Sequence, residues 1–89
     1  MYKLFINKKV DKFINNLSNS EDIKEKIDLL KHFKTLRKLD LDIKKLRGQK
    51  KNQEVYRLRV GDVRIIFEIF DSKKIIWVKS VNYRGKVYD

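Results

Sequence analysis

Cysteine is missing from this 89-residue chain, so neither disulfides nor thiolate metal sites are available to it. That lack suits a reducing cytoplasm, and a cytoplasmic location is the expectation. Proline is absent too, glycine occurs three times, and His32 is the only histidine. With no second His and no Cys, there is nothing to build a metal or nucleophile constellation around. His32 itself falls among lysines in a predicted helix and reads as an ordinary helix residue. No run of about 18 apolar residues exists, which excludes a membrane-spanning helix. The opening MYKLFINKK has a short apolar run and no small-residue cleavage site, so no signal peptide is expected. Repeats, low-complexity tracts and linker-like stretches are also lacking. Residues 1–89 are therefore read as a single domain, a size that buries about 60–65% of its unfolded surface.

Positive charge is what the chain has in excess. The formal net charge is +11, and it is unevenly placed. Residues 1–43 carry ten basic and seven acidic side chains, residues 44–89 thirteen and five. Five of the six arginines lie in the second part. A basic face of this kind favours phosphate, nucleic acid or a strongly acidic protein. The plainer alternative is a solvated, lysine-rich surface.

Residues 2–6 are apolar and aromatic and predict a short first strand. Val10, Phe13, Ile14 and Leu17 follow the i, i+3, i+4, i+7 spacing of one helix face. Ser18 with Glu21 three residues later fits a capping box and predicts a second helix starting there. Ile23, Ile27, Leu30 and Phe33 carry its apolar stripe. The stretch LDLDIKKLRG, 39–48, is compatible with a loop, a short helix or an irregular extended piece. Gly48 and the following QKKNQ read as a charged, mobile loop. Three β-rich runs then occupy 55–60, 63–70 and 75–82, separated by Gly61-Asp62 and by 71–74. The order β–α–α–β–β–β predicts an α+β fold: an antiparallel sheet with a helical hairpin packed on one face.

The stretch YRLRVGDVRIIF, 56–67, carries the sharpest signal. Alternation sends Tyr56, Leu58 and Val60 to one face and Arg57 and Arg59 to the other. A two-residue Gly61-Asp62 loop pairs Val60 with Val63, setting Arg59 opposite Arg64 and Arg57 opposite Ile66. Three guanidiniums then share the face away from the helices. Like charges directly opposite are destabilising, and a guanidinium cannot relieve the repulsion by losing its proton. Surface pairing with Glu68 and Glu54 is one resolution. A phosphate cradle is the other, since arginine's planar fork matches phosphate oxygens bidentately. The closing VNYRGKVYD adds Tyr83, Arg84, Lys86 and Tyr88, with Gly85 allowing a turn that brings Arg84 toward the arginine face. Aromatics beside arginines suit base stacking, and edge packing equally.

KKLRG at 44–48, YRLRVGDVRIIFEI at 56–69 and the terminal YRGKVYD together resemble the RelE branch of the RelE/ParE toxin superfamily. The spacing between the pieces fits, the element order extends the match along the chain, and the terminal R-x-x-V-Y element favours RelE over ParE. The resemblance implies the toxin of a type II toxin–antitoxin pair. Such toxins enter the ribosomal A site and cut mRNA there without metal or cofactor. The 2′-hydroxyl attacks the adjacent phosphate and the next nucleotide's 5′-oxygen leaves. Carried over, the implied catalytic residues are Arg64, Arg84 and Tyr88, with Arg57, Arg59 and Lys86 binding RNA phosphates. This chain departs from the family in having arginine at 57 and 59, where active members can have lysine. An arginine stabilises a pentavalent phosphate but transfers protons poorly near neutral pH. Tyr88 is then the acid–base candidate, with Lys86 and Asp89 as lesser helpers. The implied partners are ribosome, mRNA and an acidic RelB-like antitoxin. The toxin is expected to be monomeric alone and oligomeric with the antitoxin. A ParE-like gyrase inhibitor and a non-catalytic RNA- or antitoxin-binding module are the alternatives.

Overall fold

Alternation decides the central strands. Val63, Ile65, Phe67 and Ile69 are buried, while Arg64 and Phe70 are exposed, so β4 (Val63–Phe70) has one core face and one open face. The same holds for β3 (Glu54–Val60), where Leu58 and Val60 are buried and Arg59 is exposed. In the computed structural model, residues 1–38, 41–46, 50, 53–83 and 86–88 are described, 35–38 and 86–88 by backbone alone. Residues 39–40, 48–49 and 51–52, which include most of the expected charged loop, lie outside that set.

The chain runs β1 (Lys3–Ile6), α1 (Lys8–Asn15), α2 (Ser20–Leu29), a 3-10 stretch (Leu30–Lys38), β2 (Asp42–Lys45), β3 and β4. A short 3-10 turn (Asp71–Lys73), β5 (Ile75–Tyr83) and β6 (Lys86–Tyr88) follow. The sheet order is β1-β5-β4-β3-β2, with β6 also paired to β5. The β3–β4–β5 meander is antiparallel, as expected. β1 joins β5 in parallel, which makes the whole sheet mixed. The reason is topological: the helical hairpin intervenes between β1 and the meander and provides the crossover that a parallel neighbour requires. Within 39–48, residues 42–45 form the edge strand β2, so the extended alternative holds there.

Both helices are short, at 8 and 10 residues, and such helices are marginal in isolation. Packing holds them: Val10 and Ile14 of α1 and Ile23 and Ile27 of α2 join the sheet's core residues in one cluster. Phe67 is fully buried at its centre, with Phe33 edge-on at 6.1 Å and Tyr56 stacked at 5.7 Å between ring centroids. Asn7 caps α1 by accepting from the Lys9 amide at 2.9 Å. The expected Ser18–Glu21 capping box does not form. Turn hydrogen bonds from Leu17 N to Ile14 O and from Ser20 N to Leu17 O carry the chain past Ser18. The first helical bond of α2 then runs from Ile23 N to Asn19 O, which makes Asn19 the N-cap, without a side-chain bond. Among the described residues, no helix is long and apolar enough to cross a membrane.

Candidate functional site

The hairpin turn sets the site. Gly61 has φ +59° and Asp62 is not in the positive-φ region, the φ pattern of a two-residue loop with glycine first. Val60 consequently pairs with Val63, Arg59 with Arg64 and Arg57 with Ile66, as the sequence predicts. The neighbouring strands extend these rows across the sheet. One row reads Asp42, Arg59, Arg64, Asn82 from β2 to β5; the next reads Lys44, Arg57, Ile66, Ser80. Alignment on β5 depends on a register shift. Ile66 pairs with Ser80 but Phe67 with Val78, so Lys79 is an extra residue in the ladder. This bulge is what keeps Asn82, rather than Val81, on the open face beside Arg64.

A groove of ≈ 670 Å³ opens on this face, lined by Lys44, Lys45, Leu46, Arg57, Arg64, Ile66 and Asn82. Four of these side chains are cationic and none is acidic. Arg57 donates from Nη2 to Asp42 Oδ1 at 3.0 Å, yet its Nε is buried without a hydrogen-bond partner among the described residues. Asn82 Oδ1 is buried and unpartnered in the same sense. Leaving such an atom unsatisfied costs about 1–3 kcal/mol, recovered when a ligand atom completes the bond. Arg64 is exposed and forms no ion pair among the described residues. The arrangement therefore offers an anion two guanidiniums, two lysines and an amide.

The acids expected as possible partners are elsewhere. Glu68 is on the open face but binds Lys79 at 3.2 Å. Glu54 pairs in register with Ile69, which puts it on the helix-side parity, where alternation prevents it from reaching the arginines. Arg59 shares the open face without lining the groove; its Nε donates to the Gly61 carbonyl at 3.3 Å. Tyr83 packs edge-on against Phe13 at 6.0 Å on the core side, so edge packing rather than stacking on a ligand accounts for it.

Lys86 and Tyr88 lie on β6, whose register sets Lys86 opposite Tyr83, Val87 opposite Asn82 and Tyr88 opposite Val81. Their backbone thus runs alongside the groove residue Asn82. Arg84 and Asp89 lie outside the described residues. Three polar lining residues were not singled out as site residues from sequence: Lys44, Lys45 and Asn82. The two lysines stood within the KKLRG segment, and recognising 42–45 as an edge strand beside β3 would have found Lys44. Asn82 carried only the weak signal of an amide in an otherwise apolar strand.

A second polar cluster sits at the other end of the molecule. The buried Tyr2 ring donates its hydroxyl to Asp71 Oδ1 at 2.5 Å, and Lys34 and Lys74 approach the same oxygen at 3.5 and 3.4 Å. The Tyr2 hydroxyl, and then Lys34 and Lys74, hold the Asp71 carboxyl below the usual carboxylate range. Burial, and then the bond to Asp71, pushes the Tyr2 hydroxyl up. This cluster fastens β1 to the 3-10 stretch and to the β4–β5 turn.

No family model matches the chain. A curated archaeal protein, the candidate toxin RelE1 of Methanocaldococcus jannaschii, is 33% identical over 89 residues, covering 98% of this chain and 94% of the relative. Two solved structures share 28% identity. One is the archaeal RelE–RelB complex from Pyrococcus horikoshii OT3, with TM-score 0.75 over 96% of this chain and 97% of that one. The other is the RelB–RelE antitoxin–toxin complex from Methanococcus jannaschii, with TM-score 0.68 over 90% and 89%. The intact E. coli RelBE complex matches in fold, with TM-score 0.63 at 22% identity over 97% and 100%.

Proposed function

This chain belongs to the RelE family of toxins, and on that premise we propose that it is a ribosome-dependent endoribonuclease that cuts mRNA in the A site. The observation that carries the reading is the groove whose charged lining, among the described residues, is entirely cationic. Lys44, Arg57 and Arg64 converge there, with a buried guanidinium N–H left open for a phosphate oxygen. In the cleavage step the 2′-oxygen forms a bond to the adjacent phosphorus and the bond to the 5′-oxygen breaks. A 2′,3′-cyclic phosphate and a 5′-hydroxyl result. The 2′ proton must go to a base and the leaving oxygen must receive one. Arg57 and Arg64 stabilise the added charge on the pentavalent phosphate, a contribution that is largest where the donors are already in place. Tyr88, the terminal tyrosine that the family resemblance implies, is the residue proposed for proton transfer, although its backbone pairs with Val81, one position from Asn82, and Arg84 is proposed as a further phosphate contact. The ribosome supplies substrate alignment, and alignment alone accounts for much of a rate.

The natural partner in this reading is an acidic RelB-like antitoxin that neutralises the open face. Similarity to chains crystallised in RelE–RelB complexes supports it. Primer extension on a translated mRNA, with purified ribosomes and wild-type, Arg64→Ala or Tyr88→Phe protein, tests the proposal. The expected result is cuts within A-site codons that require ribosomes. Arg64→Ala should reduce them about 100-fold or more, and Tyr88→Phe should also weaken them. Cuts unchanged in Tyr88→Phe would move proton transfer to another group. Absence of cuts with folded wild-type protein would overturn the nuclease.

A further inference from the structure

The open face has a second half that the groove does not use. Phe5, Phe70 and Trp77 are 47, 41 and 43% exposed, a costly display for a chain with a small core. All three lie on the face that carries the arginines. Phe5 pairs in register with Trp77, whose neighbours along β5, Ile76 and Val78, are core residues. Phe70 follows the parity of Arg64 and Glu68 on β4 and pairs with Ile75, which makes Trp77 its diagonal neighbour. The three aromatics form a strip running obliquely over β1, β5 and β4. Asn82 lies five residues from Trp77 along β5, with the bulge between, or about 15 Å at normal strand rise.

The acids next to the strip are paired with lysines: Asp71, which follows Phe70, is held by Lys34 and Lys74. Lys3 stands one row away opposite Ile75, and the bulged Lys79 holds Glu68, whose side chain is only 13% exposed. Glu68, the acid between groove and strip among the described residues, is therefore covered and neutralised. Half-exposed rings on an open sheet face, with Lys3 at one side, paired acids at the other and a cationic groove on the same face, match single-stranded RNA: bases stack on the rings while the backbone runs to the groove's charges. We propose that Phe5, Trp77 and Phe70 form a base-stacking platform for single-stranded RNA whose backbone enters the arginine groove. The proposal rests on reading the open face as an RNA surface, and not on cleavage.

Trp77 is the only tryptophan in the chain, so its emission reports on the platform alone. The probes are a 2′-O-methyl oligoadenylate of about eight nucleotides, which lacks the attacking hydroxyl, and an abasic oligomer with the same number of phosphates. Both carry a fluorophore for anisotropy and are titrated at low salt. The oligoadenylate is expected to bind about fivefold or more tightly than the abasic chain and to quench Trp77. The abasic chain should bind without quenching. Phe5→Ala, which keeps the reporter and alters an exposed position, should lower oligoadenylate affinity and leave the abasic affinity unchanged. Arg64→Ala should weaken both. Equal affinities with unchanged Trp77 emission would overturn the platform while leaving the groove standing. Failure of both oligomers to bind would overturn the platform and the RNA reading of the groove together. Quenching by an acidic peptide of equal charge, and not by oligoadenylate, would make the strip a protein interface and overturn the proposal.

Discussion

Arg59 and Arg64 face each other across the hairpin, and the repulsion between them has a measurable consequence. Asp42 stands beside Arg59 in register, but its carboxylate bonds Arg57, one row away. The Arg59–Arg64 contact is thus left to solvent and salt. Replacing Arg59 with Gln should stabilise the free protein by about 0.2–1 kcal/mol at low ionic strength. The gain should shrink in 1 M salt, where the screening length is about 3 Å. Urea unfolding at the two salt concentrations checks this; destabilisation at low salt would show that Arg59 has a favourable role in the free fold. Arginine pairs kept against such a cost are what an anion-binding face requires. The hairpin residues were legible before the structure because a period of two and a two-residue turn fix which side chains share a face. The partners of those residues were not, since Asp42 and Lys79 come from strands whose register no local pattern encodes.

At the scale of elements, the β3–β4 turn and the β1 anchor are the two places where a small change should be felt. Gly61→Ala meets no close neighbour, the nearest atom being Asn19 Nδ2 at 4.0 Å from an added Cβ. The cost is then the backbone's alone: about 1–2 kcal/mol for holding φ near +59° with an L side chain, read as a lower urea midpoint. Gly61→Asn should cost less, because asparagine visits that region more readily. The Tyr2–Asp71 bond makes the attachment of β1 sensitive to pH. Since the Asp71 pKa is depressed, its stabilising contribution is present above about pH 4 and is lost as pH falls through the lowered value. The raised Tyr2 pKa acts at the other end, its contribution being full below about pH 10 and lost as pH rises through the raised value. Tyr2→Phe should therefore move acid unfolding to higher pH and lower stability at neutral pH. Circular dichroism across pH 2–7 would show it, and an unchanged acid midpoint would mean that the lysines alone hold Asp71.

Over the whole molecule, the small core leaves little reserve. A chain of this length is stable by about 4–13 kcal/mol, and Phe67 lies fully buried among Phe33, Tyr56 and the helices. Phe67→Ala should cost about 3–5 kcal/mol, enough to leave some preparations largely unfolded at 37 °C. Thermal unfolding measures that loss; a shift of only a degree or two would mean that the core collapses around the gap. What the sequence by itself determined were features with a local cause, the Ser18–Glu21 cap excepted. These include the strands of the meander, the stripe on each helix, the turn at Gly61 and, through it, the shared face of Arg57, Arg59 and Arg64. The family resemblance was legible for the same reason, its motifs being contiguous. Only the tertiary structure decided what comes from distant segments meeting. β1 lies parallel beside β5, 42–45 becomes an edge strand that carries Lys44 to the groove, and Glu54 falls on the face opposite the arginines. The bulge at Lys79 likewise turns Asn82 into the row of Arg64 and leaves Trp77 beside Phe5. Pairing between strands far apart in sequence is set by packing across the sheet, and no periodicity within either strand records it.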